Sequence, residues 1–169
     1  ARARGMSFSA PALTGSKPEQ YAELLGQARA LIGDERDAVA NMANISALIF
    51  TQLGGLNWAG FYLMKGGELV LGPFQGKPAC IRIPVGRGVC GTAAATRETQ
   101  VVPDVHAFPG HIACDADSRS EIVVPLIAGD RLIGVLDLDS PSPARFDEAD
   151  RAGLEALGGL LIASSDWGD

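Results

Sequence analysis

The sequence predicts an α+β domain in which helices pack on a mostly antiparallel sheet. Three observations predict it. Two amphipathic helical stretches precede any strand, the apolar strand-like segments are joined by tight glycine turns, and one further helical stripe closes the chain. At 169 residues a single domain with a substantial core is expected, and 47% hydrophobic with 20% charged residues is ordinary for a globular protein.

Ala1 to Gly5 precede the first methionine and read as a tag remnant, with Met6 as the native start. Residues 6–15 have no periodicity, so 1–15 is taken as remnant plus loose arm and 16–165 as the single domain. Ser16-Lys17-Pro18-Glu19 is a capping-box pattern that starts a helix. Tyr21, Leu24, Leu25, Ala28, Leu31 and Ile32 form its apolar stripe, and Gly33 ends it. A second helix is expected from about Glu35 to Leu53, with Ala38, Met42, Ile45, Leu48 and Ile49 on one face.

Asn57 to Met64 reads as a strand, Gly66-Gly67 as a hairpin turn and Glu68 to Phe74 as the partner strand. Cys80 to Val85 is a short extended stretch, Gly86 to Gly91 a glycine loop, Thr92 to Glu98 a short helix and Thr99 to Val102 a brief strand. Asp104 to Ser118 is a long irregular segment holding His106, His111 and Cys114; loops of that length are usually functional or mobile. Glu121 to Ala128 and Arg131 to Ser140 are the clearest strands, turning at Gly129-Asp130. Asp147 caps a final helix with Leu154, Leu157 and Leu161 as its stripe.

A net charge of −6 argues against a nucleic-acid partner and suits a cationic or zwitterionic ligand. No apolar run is long enough to span a membrane and no leader pattern opens the chain, so a cytoplasmic protein is expected. Three cysteines in such a chain argue against a structural disulfide framework and leave core thiols, a metal site or catalytic thiols.

The chemistry concentrates between Cys80 and Asp139. Strict alternation would place Asp137 and Asp139 on one strand face with Ile133 and Val135, where two acids repel unless they fray into solvent or share a cation. A two-residue turn pairs Glu121 with Leu138 on the other face; a longer turn, or a bulge near Pro125, brings it opposite Asp137. Cys114, in an irregular loop beside a histidine, is a candidate nucleophile. Cys90 lies near a helix start, where the helix dipole would favour a thiolate. Each cysteine also has a plain reading as a small buried hydrophobe. A zinc set of three cysteines and one histidine has none of the usual spacings, and the acids match no calcium loop, so no metal is expected. Gly86-Arg87-Gly88-Val89-Cys90-Gly91 matches a dinucleotide fingerprint in letters, but Arg82 and Pro84 precede it and no second βαβ half follows, so no cofactor is expected. Trp58, Phe61 and Tyr62 serve as core or as a ligand wall.

Taken together, the residues resemble the free methionine-(R)-sulfoxide reductases, a catalytic branch of the GAF domain family. The resemblance runs from about Tyr21 to Leu161. It rests on Asn57-Trp58-x-Gly60-Phe61-Tyr62, Gly72-Pro73-Phe74-Gln75-Gly76, Ala79-Cys80-Ile81-Arg82-Ile83 and Gly86-x-Gly88-Val89-Cys90-Gly91. It continues through Val102-Pro103-Asp104-Val105-His106, Phe108-Pro109-Gly110-His111-Ile112-x-Cys114-Asp115, Ser120-Glu121-Ile122-Val123 and Ile133-Gly134-Val135-Leu136-Asp137-Leu138-Asp139-Ser140. It implies a six-stranded antiparallel sheet between helices, commonly in a homodimer. It further implies Cys114 as catalytic thiol, Cys80 as its resolving partner and Cys90 as an auxiliary or alternative resolving thiol. Glu121, Asp137 and Asp139 correspond to the substrate-binding acids, and Trp58 and Tyr62 to the methyl pocket.

The chemistry agrees with that assignment. A Cys114 thiolate attacking a sulfoxide sulfur needs a proton donor for the departing oxygen, and a crowded carboxyl suits the role, Asp139 first and Glu121 second. The other acids would bind an ammonium, and backbone amides of Ile112, Ala113 and Cys114 a carboxylate. The expected substrate is free methionine-(R)-sulfoxide and the expected reductant a thioredoxin-type dithiol. The rival readings are a non-catalytic sensory GAF module that binds a small ligand and a cysteine redox sensor without a substrate.

Overall fold

The computed structural model describes residues 8–112 and 114–169. The expected tag remnant, Met6 and Ala113 lie outside them. The element order is α1 (Lys17–Ile32), α2 (Ala38–Gln52), β1 (Trp58–Lys65), β2 (Glu68–Gly76), β3 (Arg82–Ile83), α3 (Gly88–Thr96), β4 (Gln100–Val102), β5 (Ser120–Ala128), β6 (Arg131–Ser140) and α4 (Glu148–Ser164). The six strands form one sheet in the order β3-β2-β1-β6-β5-β4, and every pairing is antiparallel. This is the α+β fold expected of the hairpin turns.

Local sequence places the ends of these elements. Ser16 caps α1 reciprocally with Glu19, and Gly33 ends it. The second helix starts at Ala38 rather than Glu35, because the Asp37 carboxylate caps the Ala40 amide while Glu35 accepts from the amides of Arg36 and Asp37. Asp147 and Asp150 cap α4 in the same reciprocal way. The 8–15 segment, expected as a loose arm, is pinned to the core: Phe8, Ala10 and Leu13 pack on it, and the Pro11 carbonyl accepts from Gln27 and Gln52.

The sheet has two unlike faces. On one, α2 and α4 lie against the strands and α1 packs over them, burying Leu24, Ile45, Ile49, Phe61, Ile122, Leu136, Leu138 and Leu154. Each such side chain contributes about 1.5–3 kcal/mol by leaving water. Asp150, fully buried, accepts from Tyr21 Oη at 2.7 Å and pairs with Lys17 Nζ at 2.6 Å, fixing α1 to α4. On the other face α3, the 104–118 loop and the segment around Cys80 cover the sheet, burying Trp58, Tyr62, Val89, Cys90, Val123 and Val135. That thinner layer is where the polar residues enter. No helix among the described residues is long and apolar enough to cross a membrane.

Candidate active site

A one-residue bulge sets the register of the site. The β5–β6 turn is two residues, pairing Ala128 with Arg131 and Ile127 with Leu132, but Leu126 then pairs with Gly134, so Ile133 is the extra residue. Two sequence expectations are corrected here. Glu121 lies opposite Asp139, not Leu138 or Asp137, because the extra residue is on β6 and shifts the pairing the other way. Ile133 joins the helix-covered core with Leu136 and Leu138, whereas Val135 stays on the face of Asp137 and Asp139. Trp58 on β1 also pairs with Asp139, Gly60 with Asp137 and Tyr62 with Val135. Glu121, Asp137, Asp139, Trp58 and Tyr62 therefore share one face by register alone. A Cβ on Gly60 would lie 2.3 Å from that of Phe74, so the position facing Asp137 takes no side chain.

Helix α3 closes over that face, starting at Gly88 rather than Thr92. Cys90 is thereby in its first turn, 5% exposed, with Sγ 3.3 Å from Asp137 Oδ2. The expected dipole-stabilised thiolate is not what forms: burial, and then the acids Asp137, Glu121 and Asp139, push the thiol pKa well up, and the S–H donates to Asp137. Gly88 has φ +65°, and a Cβ there would be 3.2 Å from Ile112, so this glycine lets the cysteine loop settle on the helix start. The all-antiparallel sheet also removes the dinucleotide reading of the glycine motif, which needs parallel βαβ units.

A small cleft opens between these layers, lined by Trp58, Tyr62, Cys90, Ile112, Cys114, Glu121, Asp137 and Asp139. Cys114 is half-buried at its wall and is joined to Cys80 by a disulfide, with Cα atoms 5.5 Å apart. Cys90 is the remaining free thiol. Cys90, Glu121 and Asp137 bring ligand atoms within 4.8 Å of one another, a spacing that would suit a soft divalent ion.

The acids are unusual in their burial: Glu121 is 7% and Asp137 4% exposed. Burial raises all three carboxyl pKa values. Glu121 and Asp139 go well above the ordinary range, pushed further by the charge on Asp137. Asp137 is held lower by hydrogen bonds from Glu121 and Cys90. Its Oδ1 is buried without a partner among the described residues. Of the three carboxyls, Glu121 and Asp139 are therefore pushed up furthest and Asp137 least.

Several supporting residues were not singled out in the sequence. Asn57 donates to Asp115 and Ser118, both at 3.0 Å, while its own amide donates to the Asp139 carbonyl, tying the Cys114 loop to the end of β6. Trp58 Nε1 donates to the Lys77 carbonyl and Tyr62 Oη to that of Cys80, so the two aromatics also anchor the Cys80 segment. Lys77 and Asp117 pair at 2.9 Å, but both are exposed and add little. His111 lines the cleft, its pKa lowered by burial and by His106. Asn57 and Ser118 carried no periodicity signal; their role follows from where the loop folds.

The family model for the GAF domain matches residues 20–163. The chain belongs to the GAF domain family. Within that family it is 57% identical to Protein YtsP of Bacillus subtilis, over 81% of this chain and 85% of the relative. It is 52% identical to the free methionine-R-sulfoxide reductase of Escherichia coli, over 90% and 94%. Among solved structures this GAF domain superposes on the free methionine-R-sulfoxide reductase of Neisseria meningitidis in complex with its substrate. The TM-score is 0.89 at 49% identity, over 92% of this chain and 94% of that one.

Proposed function

We propose that this GAF domain is a free methionine-(R)-sulfoxide reductase, with Cys114 as nucleophile and Cys80 as resolving thiol. The observation that carries the reading is the opening of Cys114, already bonded to Cys80, into the same cleft as Glu121, Asp137 and Asp139. The relatives named for this activity support it.

The ammonium of the free amino acid pairs with Asp137, whose Oδ1 has no hydrogen-bond partner among the described residues. Its carboxylate takes backbone amides of the 112–114 loop. The Cys114 amide donates to the Ile112 carbonyl at 3.1 Å in the disulfide state. Trp58 and Tyr62, with ring centroids 5.8 Å apart, enclose the methyl group. Binding both charged ends selects the free amino acid over a peptide-bound residue.

The Cys114 thiolate attacks the sulfoxide sulfur while Asp139 protonates the oxygen, with Glu121 sharing that proton through their opposed register. Oxygen passes to Cys114: methionine leaves with two electrons more, and Cys114 becomes a sulfenic acid. The Cys80 thiolate displaces the hydroxyl, which leaves as water once protonated, and the disulfide forms. A thioredoxin-type dithiol then takes the disulfide back to two thiols and is itself oxidised. Steady-state assay of both epimers with dithiothreitol tests the proposal. The R epimer of free methionine sulfoxide is expected to turn over and the S epimer to be spared. Equal turnover of both, or of neither, rejects it.

A further inference from the structure

We propose that Cys90 is a positioning residue whose thiol holds the Asp137 carboxylate in place for the substrate ammonium, and that it is not a resolving thiol. The inference rests on the reductase reading above and concerns how its ammonium site is built.

Cys90 Sγ lies 3.3 Å from Asp137 Oδ2, and both residues are at most 5% exposed. A thiol has one proton to give, and Asp137 is the acceptor in reach. Cys90 takes Oδ2, and Oδ1 is buried without a hydrogen-bond partner among the described residues. Asp137 also lines the cleft. Cys90 is held in the first turn of α3, its thiol directed to Asp137. Cys80, by contrast, sits outside regular structure, just before β3, and is already bonded to Cys114.

A hydrogen bond to a carboxylate favours its charged form. Removing the donor therefore weakens ammonium binding and moves the acidic limb of the pH profile upward, while the sulfur chemistry is untouched. Serine keeps a donor at the same place; alanine does not.

The test compares Cys90→Ala and Cys90→Ser with the wild type. For Cys90→Ala, KM for free methionine-(R)-sulfoxide is expected to rise about tenfold with kcat changed much less. The acidic limb of kcat/KM is expected to shift to higher pH, and Cys90→Ser to recover most of both effects. Both variants should recycle with a thioredoxin-type dithiol and form the Cys80–Cys114 bond. An unmoved KM and pH limb in Cys90→Ala overturns the proposal. So does a Cys90→Ser variant that stalls after one turnover, which is the mark of a lost resolving thiol. Should Cys90→Ala fail to fold, the infrared S–H stretch of the oxidised wild type decides, since Cys90 is then the one thiol: a band shifted low by hydrogen bonding supports the proposal, and a free-thiol position overturns it. A wild type inactive on the substrate would instead refute the reductase reading, and the infrared band would still report on the Cys90–Asp137 bond.

Discussion

Reducing the protein should lower its thermal stability by an amount set by the Cys80–Cys114 loop. The two cysteines are 34 positions apart. Cross-linking a loop of that length removes about 13 cal/mol/K of entropy from the unfolded chain, or roughly 3.8 kcal/mol near room temperature. For a domain of this size each kcal/mol moves Tm by about 2–4 °C, so the oxidised form should melt roughly 8–15 °C above the reduced one. The assay is differential scanning calorimetry of oxidised and fully reduced samples, repeated for each Cys→Ser variant. Cys80→Ser and Cys114→Ser should abolish the redox difference, and Cys90→Ser should preserve it, because its sulfur is outside the bond. A difference that survives in Cys114→Ser but vanishes in Cys90→Ser would refute the pairing and every role built on it.

Three other outcomes follow from the same geometry. Asp139→Asn should lower kcat on the order of 10²–10⁴-fold in single-turnover methionine release, because the departing oxygen loses its proton donor. Glu121, Asp137 and Asp139 all have pKa values raised by burial, so the folded, substrate-free protein holds protons that the unfolded chain releases. Their stabilising contribution is complete below the unfolded carboxylate pKa of about 4 and is lost as pH rises through the folded values; urea denaturation across that range should show the decline, and Glu121→Gln should flatten it. Gly88→Ala should cost about 1–2 kcal/mol from its positive φ alone and displace Ile112, with a larger fall in kcat/KM than the stability loss explains; unchanged kinetics would show that the loop is not seated by this glycine.

The parts of the molecule set by local pattern were legible in the sequence. The Ser16–Glu19 box, the Gly66-Gly67 turn, the Asp147 cap and the stripes of α1, α2 and α4 all form where composition put them. Boundaries moved where a side chain intervened, as when the Asp37 cap started α2 at Ala38 rather than near Glu35. The site was legible as a set of residues and not as an arrangement. Alternation put Asp137 and Asp139 together, but the bulge at Ile133, which brings Glu121 to them, depends on sheet twist and packing that no local rule encodes. Cys90 looked like an activated thiol because a helix start favours a thiolate; its burial, and then the three acids beside it, reverse that preference. Asn57 fastens the Cys114 loop through contacts 58 and 61 positions away, beyond any sequence window.

The central claim is that the sulfur of Cys114 takes the oxygen. Fully reduced protein mixed with excess free methionine-(R)-sulfoxide, without external reductant, should release one equivalent of methionine and accumulate the Cys80–Cys114 disulfide by peptide mass mapping. Cys114→Ser should release none. Methionine release at wild-type yield from Cys114→Ser would contradict the account.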